Sequence, residues 1–182
     1  MTERRFTRFR RGPIEAYPGA FELPDDGMCL SVFLVLESPR KPGAVLMGKV
    51  DPNAPWWDIG ALDSKRLGDV GDRWMLPGCQ LLMFESPADA TRRILKEQLE
   101  TGGLPLEGPQ TFSDPSRRPG TSTRDPHWDF HFVYRGRWPS ETPPRAGAWK
   151  RLEFVEVART SRNDIARLQG DVLELVGLRP QD

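Results

Sequence analysis

Cysteine and histidine are scarce in this chain, long apolar runs are missing, and neither sign of charge prevails. Two cysteines in 182 residues, Cys29 in an apolar run and Cys79 in a turn, make neither a disulfide framework nor a zinc spacing, and they fit a reducing, cytoplasmic setting. Lysine plus arginine and aspartate plus glutamate both number 26. With no global basic field, bulk binding of nucleic acid or membrane is not expected, and any electrostatic recognition has to be local. No stretch reaches membrane-spanning length, and the arginines of MTERRFTRFRRGP are not followed by the apolar segment of a targeting signal, so neither secretion nor membrane insertion is expected.

The length suits one domain, with residues 1–20 read as a basic arm and 21–182 as the domain. In the arm, Arg4, Arg5, Arg8, Arg10 and Arg11 alternate with Phe6 and Phe9. That pattern admits a phosphate- or nucleic-acid-binding arm. The preferred reading is a tail or edge strand that packs its two phenylalanines.

Met28 to Glu37 (MCLSVFLVLE) and Ala44 to Val50 (AVLMGKV) are apolar, β-branched runs joined by SPRKPG, and predict two adjacent strands. Residues 51–71 mix Pro52, Pro55, Trp56, Trp57 and Gly60 without a period and predict a long irregular loop. The sharpest helix signal is SPADATRRILKEQLETGG. Ser86 serves as N-cap, Pro87 as first helical residue, Asp89 as the capping-box partner and Gly102 as the left-handed stop. Helical periodicity puts Ala88, Thr91, Leu95 and Leu99 on one face, for packing on a sheet, and Ile94, Glu97 and Gln98 on another. Residues 104–120 predict loop, His127 to Tyr134 and Trp149 to Val157 predict strands, and Asn163 to Val176 predicts a closing amphipathic helix. Strands on both sides of a central helix imply a mixed α/β or α+β sandwich.

The run Leu76 to Gly103 resembles the Nudix box: Gly, five residues, Glu, seven residues, Arg-Glu, apolar, any, Glu-Glu, any, Gly. In an ungapped register, Glu85 is the first glutamate, Arg93 the arginine and Leu95 the apolar position. The resemblance implies that Glu85 and Arg93 hold the loop against the helix. The three glutamates that bind metal in the family fall on Ile94, Glu97 and Gln98, and Cys79 and Glu100 stand where the box has glycines. A register set by the closing Glu-Thr-Gly makes Glu100 the last glutamate but puts Lys96 and Leu99 at the other two positions, so either register retains one carboxylate in three.

A diphosphate hydrolase uses such carboxylates to hold divalent cations that neutralise phosphate oxygens and activate water. Downstream, FSDPSRRPG (Phe112 to Gly120) resembles the Ser-Asp-Pro-x-Arg-Asp-Pro-Arg loop of ADP-ribose pyrophosphatases and ADP-ribose-sensing Nudix proteins, with Arg118 and Gly120 as departures. The resemblance implies a Nudix-like α/β/α sandwich with a mixed central sheet, a nucleoside diphosphate ligand of ADP-ribose type, and Mg2+ or Mn2+ on Glu97 with help from Glu100. Arg93 and Glu85 complete the expected catalytic set, and Arg117 with Arg118 would grip phosphate. The alternative is the same fold without catalysis, as a nucleotide sensor or an interaction scaffold.

His127, Asp129 and His131 share one strand face by alternation, with Trp128, Phe130 and Phe132 facing the core. They are ligand types for zinc or iron, but their spacing along one strand suits a single ion poorly. A histidine beside the box helix that touches phosphate or acts as base is the stronger expectation, and His131 is the candidate. Trp57 is read as a stacking platform for a nucleobase. Against this, one indole of Trp56 and Trp57 plugs the core while the other makes a homodimer contact.

Overall fold

A computed structural model describes residues 4, 6, 8–9, 28–115, 128–166 and 169–182. Along the chain, β1 (Arg8–Phe9), β2 (Met28–Glu37) and β3 (Ala44–Val50) precede two short helices, α1 (Trp56–Gly60) and α2 (Ser64–Val70). Then come β4 (Gly78–Gln80), α3 (Pro87–Gln98), β5 (Glu107–Pro115), β6 (Trp128–Arg137), β7 (Trp149–Glu156) and α4 (Gln169–Leu175). The main path of the mixed sheet runs β5-β6-β2-β3-β7, with β1 and β4 also paired to β2. The β2–β6 pair is parallel, whereas β5–β6 and β3–β7 are antiparallel.

The two apolar runs form strands with the predicted limits. They pair through Glu37 and Val45 near their turn, and the segment leading into β4 is received between them. Leu34 N donates to Pro77 O at 2.9 Å, and Gly48 and Met75 exchange backbone hydrogen bonds. Gly78 lies so close to β2 that a Cβ there would stand 2.8 Å from Val32 O and 2.6 Å from Phe33 Cδ1. A larger residue would therefore push the segment out of the sheet.

Because side chains alternate across a strand, β2 feeds two cores. Val32, Leu34 and Leu36 pack with Ala90, Ile94, Leu95 and Leu99 around α3. Val35 packs on the other face with Val45, Met47, Val133 and the α4 residues Val172 and Leu173. A third cluster joins Trp56 and Trp149, whose rings meet edge to face at 4.8 Å, and holds α1 against the sheet. The result is the expected α/β/α sandwich around a mixed sheet. No helix of the described residues is long and apolar enough to cross a membrane.

Several local expectations are corrected. The span 51–71 holds α1 and α2. Asp63 caps α2 by accepting from Arg66 N at 2.8 Å, and Gly71 closes it. Helices of five and seven residues are too short to show a period in sequence. Residues 107–115 form β5, whose polar composition hides a strand made by pairing with β6. The predicted closing helix is divided into a 3-10 turn at Arg162–Asp164 and α4, with Ile165 extended between them. On α3, Ala90 rather than Ala88 meets the core; Ala88 is exposed.

Candidate functional site

The N-terminus of α3 is closed by the residues expected to close it. Ser86 Oγ accepts from Asp89 N at 3.1 Å, and Pro87 occupies the first turn. Its far end differs from the prediction. Leu99 is the C-cap, and the left-handed residue is Glu100, with φ 49°, in place of Gly102. Thr101 N then closes the turn on Leu95 O at 3.0 Å. A left-handed non-glycine residue carries a penalty of about 1–2 kcal/mol. Glu100 offsets it with a contact to a distant segment, its Oε1 accepting from Gly147 N at 2.7 Å.

Arg93 and Glu85 form a two-pronged ion pair, Nε to Oε1 at 2.7 Å and Nη2 to Oε2 at 2.8 Å, with both side chains nearly buried. Glu85 Oε2 also accepts from Leu82 N, and Arg93 donates to Gln80 O at 3.0 Å and Cys79 Sγ at 3.1 Å. This pair fastens the loop 81–86 to α3 and to the end of β4. Burial is the largest influence on Arg93 and opposes its charge, but hydrogen bonding to Glu85 and the nearby anions outweigh it and raise the guanidinium pKa.

The face that carries metal-binding glutamates in the box pattern is built differently here. Ile94 is buried at 1 % exposure among Val32, Leu34 and Leu81. Gln98 is fully buried and staples Gly78: its Oε1 accepts from Gly78 N at 3.1 Å, and its Nε2 donates to Gly78 O at 2.8 Å and Ile59 O at 3.1 Å. Its backbone oxygen accepts from Trp149 Nε1. Both residues are therefore parts of the core.

Glu97 reaches the surface, and there it meets Arg4. The guanidinium donates to both carboxylate oxygens, Nη2 to Oε1 at 2.6 Å and Nη1 to Oε2 at 2.9 Å, and Nη1 also donates to Asp58 O. Hydrogen bonding to Glu97 raises the Arg4 pKa above the ordinary guanidinium value. Glu97 and Glu100 line an open cleft of about 390 Å3 together with Asp51, Asn53, Ala54, Pro55, Ile59, Gly147 and Ala148. The lining is acidic.

These residues do not fit a divalent cation. One carboxylate of the expected three is present, it already holds a guanidinium, and Glu100 is engaged by Gly147. Among the described residues no group of three or more His, Cys, Asp or Glu side chains is placed to hold a metal. Magnesium is commonly held by one or two carboxylates with waters and substrate phosphates; here the one carboxylate of the box face is taken by the Arg4 guanidinium, and Ile94 and Gln98 supply no other.

The other candidates are dispersed. His131 is buried at 2 % exposure between Phe33, 5.3 Å away and edge-on, and Phe112, stacked at 5.6 Å. Phe132 packs towards α3, so alternation sends His131 to the opposite sheet face, with Val133. That corrects the expected placement of His131 beside the box helix. The alternation of β6 is as expected, with Phe132 on the α3 core, but the other face is covered too, Asp129 being buried at 5 %. Trp57 lies on α1, partly buried, with the Phe6 ring edge-on at 5.5 Å, so its packing is with the arm. Trp56 plugs the core. Arg117, Arg118 and His127 lie outside the described residues.

Sequence reasoning missed two features of the site. Arg4 is one of several arginines in its segment, and nothing local distinguishes it. Phe84 is fully exposed, with φ 65°, at the turn before α3. A large aromatic is the residue type least expected in that conformation.

Cys79 faces the α3 core at 4 % exposure. Burial pushes its thiol up to about 12, against the lowering influence of Arg93. In a Cys29→Ala variant, Cys79 is expected to stay unreactive towards a thiol reagent at pH 8 until denaturant is added. Prompt labelling of the folded protein would contradict the packing. The raised pKa also gives a sign: the stability contributed by the neutral thiol is complete below 9.0 and declines as pH rises towards about 12.

No protein-family model matches the chain, and no curated protein matches it. Solved structures do. A MutT NUDIX hydrolase from Burkholderia pseudomallei superposes with a TM-score of 0.54 at 15% identity, over 82% of this chain and 98% of that one. The chain has a Nudix fold. The NrtR protein of Shewanella oneidensis superposes at 0.53 with 18% identity, over 82% of this chain and 60% of that one. A MutT/nudix family protein from Enterococcus faecalis shares 22% identity over 76% of this chain at 0.47, and the chain spans about half of its length, 46%. At these identities the Nudix likeness is one of fold, and function has to come from the site.

Proposed function

We propose that this chain uses the Nudix fold to bind a nucleoside diphosphate linked to another moiety, of ADP-ribose type, without metal-dependent hydrolysis. The observation that carries the reading is the α3 face. Two of the three metal-ligand positions are built into the core as Ile94 and Gln98, while the third, Glu97, is held by Arg4. In-line hydrolysis of a diphosphate depends on cations that neutralise the phosphate oxygens and activate water, and this face offers one engaged carboxylate. The ungapped box register is supported by Glu100, which takes the left-handed conformation at the position of the second box glycine. The scaffold elements Glu85 and Arg93 support retention of the fold's loop geometry.

For the ligand, the support is the Phe112 to Gly120 resemblance, with Arg117 and Arg118 as phosphate-gripping residues, since arginine forks match phosphate oxygens. The acidic cleft at Glu97 is not the phosphate site in this reading. Like charges would oppose a metal-free diphosphate there.

The test is a panel of nucleoside diphosphate derivatives examined by calorimetry and by product analysis, with and without Mn2+. Saturable binding that does not require Mn2+, is weakened in Arg117→Ala/Arg118→Ala, and leaves the ligand intact is the expected result. Turnover that needs Mn2+ and disappears in Glu97→Gln would sink the reading in favour of a working hydrolase. No binding across the panel would leave the fold as an interaction scaffold.

A further inference from the structure

We propose that the Glu97 cleft is a guanidinium site, and that its resident ligand is the chain's own N-terminal segment, delivered through Arg4. This rests on the reading above, that the site holds no divalent cation. Three observations converge on it.

The first is the contact itself. Arg4 makes a fork on both Glu97 oxygens and adds a backbone acceptor, Asp58 O, from the end of the cleft formed by α1. A planar guanidinium matches both oxygens of one carboxylate, whereas a hard divalent ion needs several oxygens. The Ile94 and Gln98 substitutions that remove metal ligands therefore leave a site of the right size and charge for an arginine.

The second is that the segment is seated by more than one charge. Phe6 is buried at 5 % exposure, bridges to Leu82 and packs edge-on against Trp57. Arg8–Phe9 then pairs antiparallel with Met28 and Cys29 on β2. Anchoring at Phe6 and at β1 presents Arg4 to Glu97 at high effective concentration, which strengthens a contact that would be weak between free partners.

The third is the electrostatics of the cleft. Asp51, Glu97 and Glu100 all line it, and the nearby Arg93 is already committed to Glu85, Gln80 O and Cys79. Arg4 thus supplies cationic charge to a face that the box pattern would give to metal. Its positive charge persists at any physiological pH.

The experiment is limited trypsin digestion of the full chain at neutral pH, following cleavage after Arg4 and Arg5 by mass spectrometry. Docking protects these bonds. In Glu97→Gln and in Arg4→Lys, whose ammonium cannot make the fork, cleavage in this segment is expected to accelerate about fivefold or more, because it follows the population of the undocked segment. Glu153→Gln, altering an exposed carboxylate paired with Arg151, should leave the rate unchanged. The exchanged pair Arg4→Glu with Glu97→Arg should restore protection after Arg5. A wild-type segment cleaved as fast as the Glu97→Gln segment would overturn the proposal. If Glu97→Gln loosens the whole domain, seen as a lower Tm, the Arg4→Lys comparison decides. Glu97-dependent Mn2+ binding by the wild type would defeat the function reading and this inference together, whereas a loose segment without Mn2+ binding defeats this inference alone.

Discussion

Restoring the missing box glutamates, Ile94→Glu and Gln98→Glu, is expected to destabilise the protein rather than create a metal site. Ile94 is enclosed by aliphatic residues of β2 and α3 and by Leu81, just after β4, and a carboxylate there would be buried without a partner. Gln98 uses its amide nitrogen to donate to Gly78 O and Ile59 O. A glutamate would turn those two contacts into oxygen facing oxygen while keeping only the acceptor role towards Gly78 N. Uncompensated buried charge costs about 3–5 kcal/mol. For a domain of this size each single variant should lower Tm by roughly 6–20 °C.

The double variant should lose more than the sum, because like charges four residues apart on a helix repel. Calorimetry with and without Mn2+ checks this. A functional site would show a Mn2+-dependent rise in Tm through linkage, and the structure predicts none.

Arg93→Ala should be nearly as damaging, for a different reason. It removes the fork on Glu85 and leaves that carboxylate nearly buried, with Leu82 N still donating to it. The expected loss is about 3–5 kcal/mol, the range for breaking a buried pair from one side. Arg93→Lys should recover only part of it, since an ammonium cannot serve Glu85, Gln80 O and Cys79 together. Removing both charges, as in Glu85→Gln with Arg93→Met, should cost less than Arg93→Ala alone, because no orphan charge remains. Urea unfolding at pH 7 reads all four proteins. If Arg93→Ala leaves the midpoint unchanged, the pair does not fasten the loop to α3.

The strands around the first turn and the start of α3 were legible because local chemistry decides them: apolar β-branched runs, a Pro/Gly turn, and a serine cap ahead of Pro87. The end of α3 was not. Gly102 carries the local signal for a left-handed stop, but the turn falls on Glu100, where a contact with Gly147 from a distant segment supports it. The same logic hid β5, whose strand character comes from β6, and α1 with α2, which depend on the Trp56–Trp149 contact and on one aspartate cap.

For the site, periodicity put Ile94, Glu97 and Gln98 on a common face, yet the sheet divides that face into two core residues and one surface residue. The partner of Glu97 lies 93 positions away, beyond any local pattern. His131 shows the limit of alternation: period two fixes which residues share a face of β6, and only the packing of Phe33 and Phe112 shows that the face is buried on the side away from α3.

The most direct test is electron paramagnetic resonance of free Mn2+ titrated into the wild-type protein and into Glu97→Gln. The structure predicts the same signal for both, with no Glu97-dependent uptake of the ion at millimolar concentration, because the carboxylate is held by Arg4 and the other two box positions, Ile94 and Gln98, carry no carboxylate. Stoichiometric Mn2+ binding that vanishes in Glu97→Gln would contradict it and return the α3 face to a metal centre.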